Sequence, residues 1–314
     1  MKKNLLIVGG SGFIGTNYCA LFSNKYNIRV IDIQPSCNAE YRFVDALDFD
    51  KLSAEIKSFT PNYIIDFAAR TDVNNEISAK DGYSINWEIA KNILSICRKS
   101  KVRVESIVFT STQYVIGPDS NSFEKYSYSP HTTYGESKVI MEKLVREVTD
   151  LHWNIVRPTN VWGPFHQRYA NELYWLMKRG LFYVPRESLN VLKSYAYVGT
   201  VCKQIDAILN CQTHSEVFYV GDRPVKQFEW LDLQANICGG RIKIAPMWLF
   251  KVLAFIGDLL MKIGVKFPVK SQRLDNMLIE YLVPMDDTFR LVECESLDEA
   301  CAIDSTKKWL HEKA

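Results

Sequence analysis

Long apolar runs are missing from this sequence. The best candidate, PMWLFKVLAFIGDLLMKIG at 246–264, is broken by Lys251, Asp258 and Lys262, so the ~18 uninterrupted apolar residues of a spanning helix are not there. At ~100° per residue those three charges share one narrow face, leaving an amphipathic helix with a wide apolar side. That side is expected to pack on a neighbouring domain or subunit rather than on a membrane. The opening MKKNLLIVGGSG carries only a short apolar run that meets glycines at once. This is too short for a secretion signal and reads as a first strand. Paired cysteines are missing too. Eight are scattered at 19, 37, 97, 202, 211, 238, 294 and 301 with no CxxC, the pattern of reduced thiols in a cytoplasmic protein rather than of a disulfide frame or a metal site. An excess of one charge is absent: 38 Lys and Arg face 36 Asp and Glu, a net +2, so nothing marks a nucleic-acid surface. There is no internal repeat and no low-complexity segment.

What is there is ordinary globular composition, 47% hydrophobic and 24% charged over 314 residues, enough for one large or two interlocked domains. Apolar strand-like runs recur at Leu5–Val8, Ile28–Ile33, Tyr63–Ala69, Val104–Phe109 and Trp153–Val156. Helix-like stretches at 14–25, 50–58, 84–100 and 135–150 separate them. Alternation of this kind predicts a parallel sheet with helices on both faces, and strands buried on both faces are continuously apolar, as these are. Beyond residue 165 the alternation loosens. A last strand-like run, EVFYVGD at 216–222, ends in glycine, and the tail from Ser296, a good N-cap, reads as a closing helix.

Directly after the first strand comes GGSGFIG, 9–15. Gly10, Gly12 and Gly15 fit G-x-G-x-x-G; Gly9, Gly12 and Gly15 fit G-x-x-G-x-x-G. Glycines in such a loop allow the tight turn, let backbone N–H groups approach a pyrophosphate and let the helix pack closely, while the helix N-terminus offers its dipole to the anion. Alone the loop is a weak signal. Here it follows a strand, opens a helix, and is followed by an acid, Asp32, at the end of the second strand in RVIDIQ. A carboxylate there accepts hydrogen bonds from an adenosine ribose and repels a 2′-phosphate, which favours NAD over NADP.

TTYGESK, 132–138, opens another helix, with Tyr134 and Lys138 four apart and so neighbours on one face. A free tyrosine, pKa ~10, is a poor base at neutral pH; a nearby ammonium and a cationic nicotinamide favour its phenolate. Upstream, the apolar run 104–109 breaks into Thr110, Ser111 and Thr112, then Gln113, Tyr114 and Gly117. Hydroxyls at a strand end can cap a turn or hold a substrate.

The glycine loop, Asp32, VDALD at 44–48, FAART at 67–71, Asn86, STQYVIG at 111–117, YGESK at 134–138 and RPTNVWGP at 157–164 together resemble the extended short-chain dehydrogenase/reductases of the NAD-dependent epimerase/dehydratase family. The resemblance covers nearly the whole chain and says little about the substrate. It implies an α/β, Rossmann-type, doubly wound parallel sheet with a smaller, mostly helical C-terminal substrate domain. Residues 1–164, rejoined by about 194–222, would form the NAD-binding part, and 165–193 with 223–314 the substrate-binding part. It implies Thr112, Tyr134 and Lys138 as the catalytic set. It implies that Gly9, Gly12, Phe13, Ile14 and Gly15 cradle the NAD, with Asp32, Ile33, Asp45 and Ala46 on the adenosine side. Phe67, Ala68, Ala69 and Pro158 would line the rest of the cofactor, with Tyr134 and Lys138 beside the nicotinamide ribose. Ser111, Thr112, Gln113, Asn160 and Lys193 would meet a nucleotide-sugar substrate. The helices over 84–100 and 135–150 resemble the pair that makes a homodimer interface.

The family's dehydratases carry an Asp–Glu pair after the catalytic hydroxyl. Gln113 and Tyr114 stand there in this chain, so neither supplies an ionised carboxylate and dehydration is disfavoured. The expectation is an NAD-dependent nucleotide-sugar epimerase working through a transient ketosugar. Its rivals are a ketoreductase of a 4-keto-6-deoxy nucleotide sugar or other carbonyl substrate, and a non-catalytic cofactor-binding regulatory protein.

Overall fold

In a computed structural model, all residues are described except 1, 37–39, 74, 101, 119, 121–122, 263, 265–270, 293–297 and 314. Seven strands form one parallel sheet: β1 (Asn4–Val8), β2 (Asn27–Asp32), β3 (Glu40–Phe43), β4 (Tyr63–Asp66), β5 (Ser106–Thr110), β6 (Trp153–Pro158) and β7 (Glu216–Val220). Their order is β7-β6-β5-β4-β1-β2-β3. The chain winds outward from β1 in one direction, returns, and winds outward from β4 in the other, the doubly wound plan. Side chains alternate along β1: Leu5 and Ile7 enter the core under α1 (Phe13–Phe22) and α5 (Val198–Asn210). Leu6 and Val8 enter the one under α2 (Phe49–Phe59), α3 (Ile85–Lys99) and α4 (Thr133–Arg146). Both faces are covered, so the strands are apolar throughout.

The register brings the carboxyl ends together. Val8 pairs with Ile31 and with Asp66, Asp66 with Phe109, and Thr110 with Val156. Loops leaving these ends form one edge, where ligands of such sheets sit. Several strands differ from the sequence reading, most at β3, β4 and β5. β3 is an additional strand of four residues, with Phe43 72% exposed, which has no continuous apolar run to reveal it. β4 stops at Asp66, and β5 runs over Ser106–Thr110 because Val102 and Val104 pack against the core without joining the ladder.

The chain divides into two compact units. The first is Met1–Phe165, Ala196–Asp222 and Val283–Asp298; the second is His166–Tyr195, Arg223–Leu282 and Glu299–Ala314. Residues Val283–Asp298 thus group with the sheet, although the sequence suggested the substrate part. Lys125 Nζ pairs with both Glu216 and Asp287, and Thr288 Oγ1 donates to the Tyr219 carbonyl at 2.5 Å. The second unit is mainly helical, over Gln227–Cys238, Met247–Lys262, Ser271–Leu278 and Glu299–Lys313, with Phe182–Pro185 paired to Ile242–Ala245. The proposed cap Ser296 lies outside the described residues, as do Cys37 and Cys294. Cys97, Cys202, Cys211 and Cys238 are free thiols. Among the described residues, no helix is long and apolar enough to cross a membrane.

Candidate active site

The glycine loop is built around approaches that side chains would block. Gly9 has φ +78°, and a Cβ there would lie 2.4 Å from the Ala68 nitrogen; one on Gly15 would lie 2.6 Å from the Gly10 Cα. The first locks the loop to the end of β4, the second lets α1 pack on the turn. Gly12 is the N-cap of α1 and no side chain caps its first turn, which leaves the dipole end to an anion. Asp32 is partly buried. Its Oδ2 accepts from the Ser11 N–H and its Oδ1 from the Gln34 N–H, both at 2.9 Å. A carboxylate has about four acceptor sites, so two bonds leave room for a ribose.

Gly9, Gly12, Asp32, Ile33, Asp45, Ala46, Phe67, Ala68 and Ala69 all line one cavity of about 280 Å³ at the ends of β1, β2 and β4. Ile33 is half exposed at its mouth, while Asp45 Oδ1 accepts from the Leu47 N–H at 2.9 Å. Phe13 and Ile14 begin α1, and Pro158 ends β6; these three do not line this cavity. The loop, the uncapped helix and the acid fit a dinucleotide.

The second cluster lies at the end of β5. Thr132 caps α4 by accepting from the Gly135 N–H at 3.0 Å. A Cβ on Gly135 would lie 2.2 Å from the Tyr114 carbonyl oxygen, so this glycine lets α4 sit against the turn 113–115. That contact brings the buried Tyr134 to the side of Thr112. Burial raises the Tyr134 pKa first and Tyr114 adds to it, while the Thr112 side chain works the other way. Lys138 is buried and its Nζ donates to the Thr110 carbonyl at 2.7 Å. Burial brings it down to about 8, while the charges of Asp66 and Glu142 push the other way.

Asp66 was not singled out in the sequence. It ends β4, is buried, and accepts from the Ala68 N–H at 3.0 Å. Burial raises it to about 6, opposed by the charge of Lys138. Also unforeseen is a buried ion pair. Arg157 donates from Nε (2.8 Å) and Nη2 (2.7 Å) to Glu142, and both side chains are fully buried. Glu142 follows Lys138 by four on α4, so the two share one helix face.

The expected substrate residues are divided. The Ser111 hydroxyl donates to Glu142 at 2.5 Å, so it holds the strand end. Gln113 is buried in the turn after Thr112. Asn160 Oδ1 accepts from the Tyr114 hydroxyl at 3.2 Å. Lys193 belongs to the second unit, where its Nζ donates to the Asn276 carbonyl and burial brings it down to about 8.

The NAD dependent epimerase/dehydratase family profile matches residues 5–221. The chain is 29% identical over 291 residues (87% of it, 85% of the relative) to the N-acetyl-alpha-D-glucosaminyl-diphospho-ditrans,octacis-undecaprenol 4-epimerase of Escherichia coli O157:H7. It is 26% identical to the UDP-glucose 4-epimerase of Mycoplasma genitalium over 47% of its length and 48% of the relative's. Among solved structures it is similar to the UDP-glucose 4-epimerase of Thermotoga maritima with UDP-glucose, at TM-score 0.75, 20% identity and 99% of both chains. The Thermus thermophilus UDP-glucose 4-epimerase complex with NAD superposes at TM-score 0.72, 18% identity, 99% of this chain and all of that one. With its Rossmann-type sheet, its glycine loop and Asp32, this chain belongs to the NAD dependent epimerase/dehydratase family, and its cofactor is NAD.

Proposed function

We propose that this protein is an epimerase of a diphosphate-linked sugar, with a nucleotide as the carrier and Tyr134 as the acid/base. The observation that carries this reading is the close approach of Gly135 to the turn after Thr112, which sets the buried Tyr134 on the same helix face as the buried Lys138, whose Nζ is held by the Thr110 carbonyl at the strand end. NAD, when bound, would take a hydride from a sugar carbon and return it. Gly9, Gly12 and Gly15 hold the pyrophosphate, and Asp32 the adenosine ribose. Thr112 orients the reacting sugar oxygen. Tyr134 accepts the proton of that hydroxyl as the carbon becomes a ketone, and gives it back after the ketosugar has turned over in the site. A positioned acid/base of this kind contributes roughly 10²–10⁴-fold. Lys138 keeps positive charge beside the phenol, and its Thr110 bond fixes where that charge lies.

Loss of water is disfavoured, because Gln113 and Tyr114 follow Thr112 and the Tyr114 hydroxyl is engaged by Asn160. Epimerisation leaves NAD unchanged overall, whereas a ketoreductase would consume NADH. Purified protein with UDP-glucose or UDP-N-acetylglucosamine should form the 4-epimer with no net change at 340 nm. Stoichiometric NADH consumption with a ketosugar, and no epimer, would reject the reading. A second carrier, a polyprenyl diphosphate, is favoured by the coverage of the Escherichia coli relative, which acts by its name on an undecaprenol-linked sugar. We expect a homodimer formed through α3 and α4, which lie side by side on one face of the sheet.

A further inference from the structure

The helix Met247–Lys262 has two apolar sides, and only one is used. Phe250 and Ala254 are buried with Ala245 and Leu274. On the opposite side Trp248, Val252, Phe255 and Leu259 are 65%, 49%, 71% and 56% exposed. At ~100° per residue these four fall within about 60° of one another, so they form one continuous stripe rather than the scattered apolar residues of an ordinary surface. Lys251, exposed, borders the stripe. The one acid of the helix, Asp258, is turned to its own fold: its Oδ1 accepts from the Ser271 N–H at 3.2 Å. The strand leading into the helix adds exposed Arg241, Lys243 and Ile244.

Charge is concentrated here. Residues 241–273 contain seven Lys and Arg and one acid, a net +6, while the remainder of the chain holds 31 cations and 35 acids, a net −4. An apolar stripe begun by a tryptophan, bordered by lysine and lying in a basic segment, matches an anionic bilayer in both properties. Another protein surface would need the stripe but not the cations.

We propose that this helix docks the protein on anionic membranes, with Trp248, Val252, Phe255 and Leu259 entering the headgroup–acyl boundary and the exposed Arg241, Lys243 and Lys251 meeting lipid phosphates. The inference does not depend on the epimerase reading. Docking would bring the protein to where a polyprenyl-linked substrate resides. This differs from the sequence expectation, which assigned the apolar side to a neighbouring domain or subunit.

Sedimentation with phosphatidylglycerol/phosphatidylethanolamine vesicles tests it, beside phosphatidylcholine vesicles. Binding should be strong to the first, weaker to the second, and reduced by salt. The double variant Trp248→Ser/Phe255→Ser should bind at least ~10-fold more weakly, with unchanged NAD affinity and thermal unfolding. Absence of binding to the anionic vesicles at 0.1 M salt would overturn the proposal, as would equal binding by the variant. So would a variant that turns an oligomer of the lipid-free protein into a smaller species, since the stripe would then be covered by a second copy.

Discussion

Truncating one partner of the Glu142–Arg157 pair should be among the most costly changes in the protein. Glu142 accepts four hydrogen bonds: two from Arg157, one from Ser111 at 2.5 Å and one from the Tyr128 hydroxyl at 3.0 Å. Arg157 also donates to the Tyr219 hydroxyl at 3.0 Å and to the Lys125 carbonyl at 2.9 Å. Burial works against the Arg157 charge, but Glu142 and Tyr219 overcome it and hold its pKa above the ordinary guanidinium value. Arg157→Met leaves a fully buried carboxylate without its cation, a loss of about 3–5 kcal/mol, set against a total stability of roughly 5–15 kcal/mol. At ~2–4 °C per kcal/mol for a large domain, the melting point should fall on the order of 10 °C. Glu142→Leu combined with Arg157→Met removes both charges and should recover most of that loss. The assay is thermal and urea unfolding of the two single variants and the double. A cost below about 1 kcal/mol for Arg157→Met, or single losses that simply add in the double, would refute the coupling.

Three further outcomes follow from the same geometry. Gly9→Ala forces a side chain into positive φ and onto Ala68, so NAD affinity, read by fluorescence titration, should fall at least ~10-fold with the sheet intact by circular dichroism. Gly135→Ala pushes α4 off the 113–115 turn and separates Tyr134 from Thr112; turnover should drop by ~10-fold or more while NAD binding changes little, and equal turnover would reject the contact. Asp66→Asn removes a carboxyl whose folded pKa, about 6, lies above its ordinary 3.8. A raised carboxyl loses stability as pH climbs from ~4 to ~6, so this loss should be absent from the variant's unfolding curves. The same change takes away the charge that raises Lys138, so the alkaline limb of turnover should move to lower pH from near 8.

The cofactor half of the site was legible because its chemistry demands residue types that stand out. Only glycine tolerates the approach of residue 9 to Ala68, and an acid at the end of β2 is the residue type that the proposed ribose contact asks for. Tyr134 and Lys138 were legible by helical spacing. The supports were not. Glu142 and Arg157 sit 15 residues apart on a helix and a strand, and nothing local shows that burial will pair them. Ser111 read as a substrate residue because a hydroxyl at a strand end looks the same whether it faces a ligand or a buried carboxylate. β3 was missed because an edge strand with Arg42 and Phe43 exposed needs no apolar run. Lys193 read as a cation for the substrate, but its Nζ donates to the carbonyl of Asn276, 83 residues away, a pairing that only the folded second unit creates.

The central claim is that Tyr134 moves the proton. Tyr134→Phe deletes one oxygen and keeps the buried ring, so NAD affinity and unfolding should stay within about twofold of the parent. Conversion of the diphosphate-linked sugar, followed by chromatographic separation of the two epimers, should fall roughly 10²–10⁴-fold. Epimer formation by Tyr134→Phe at near the parent rate would contradict the account.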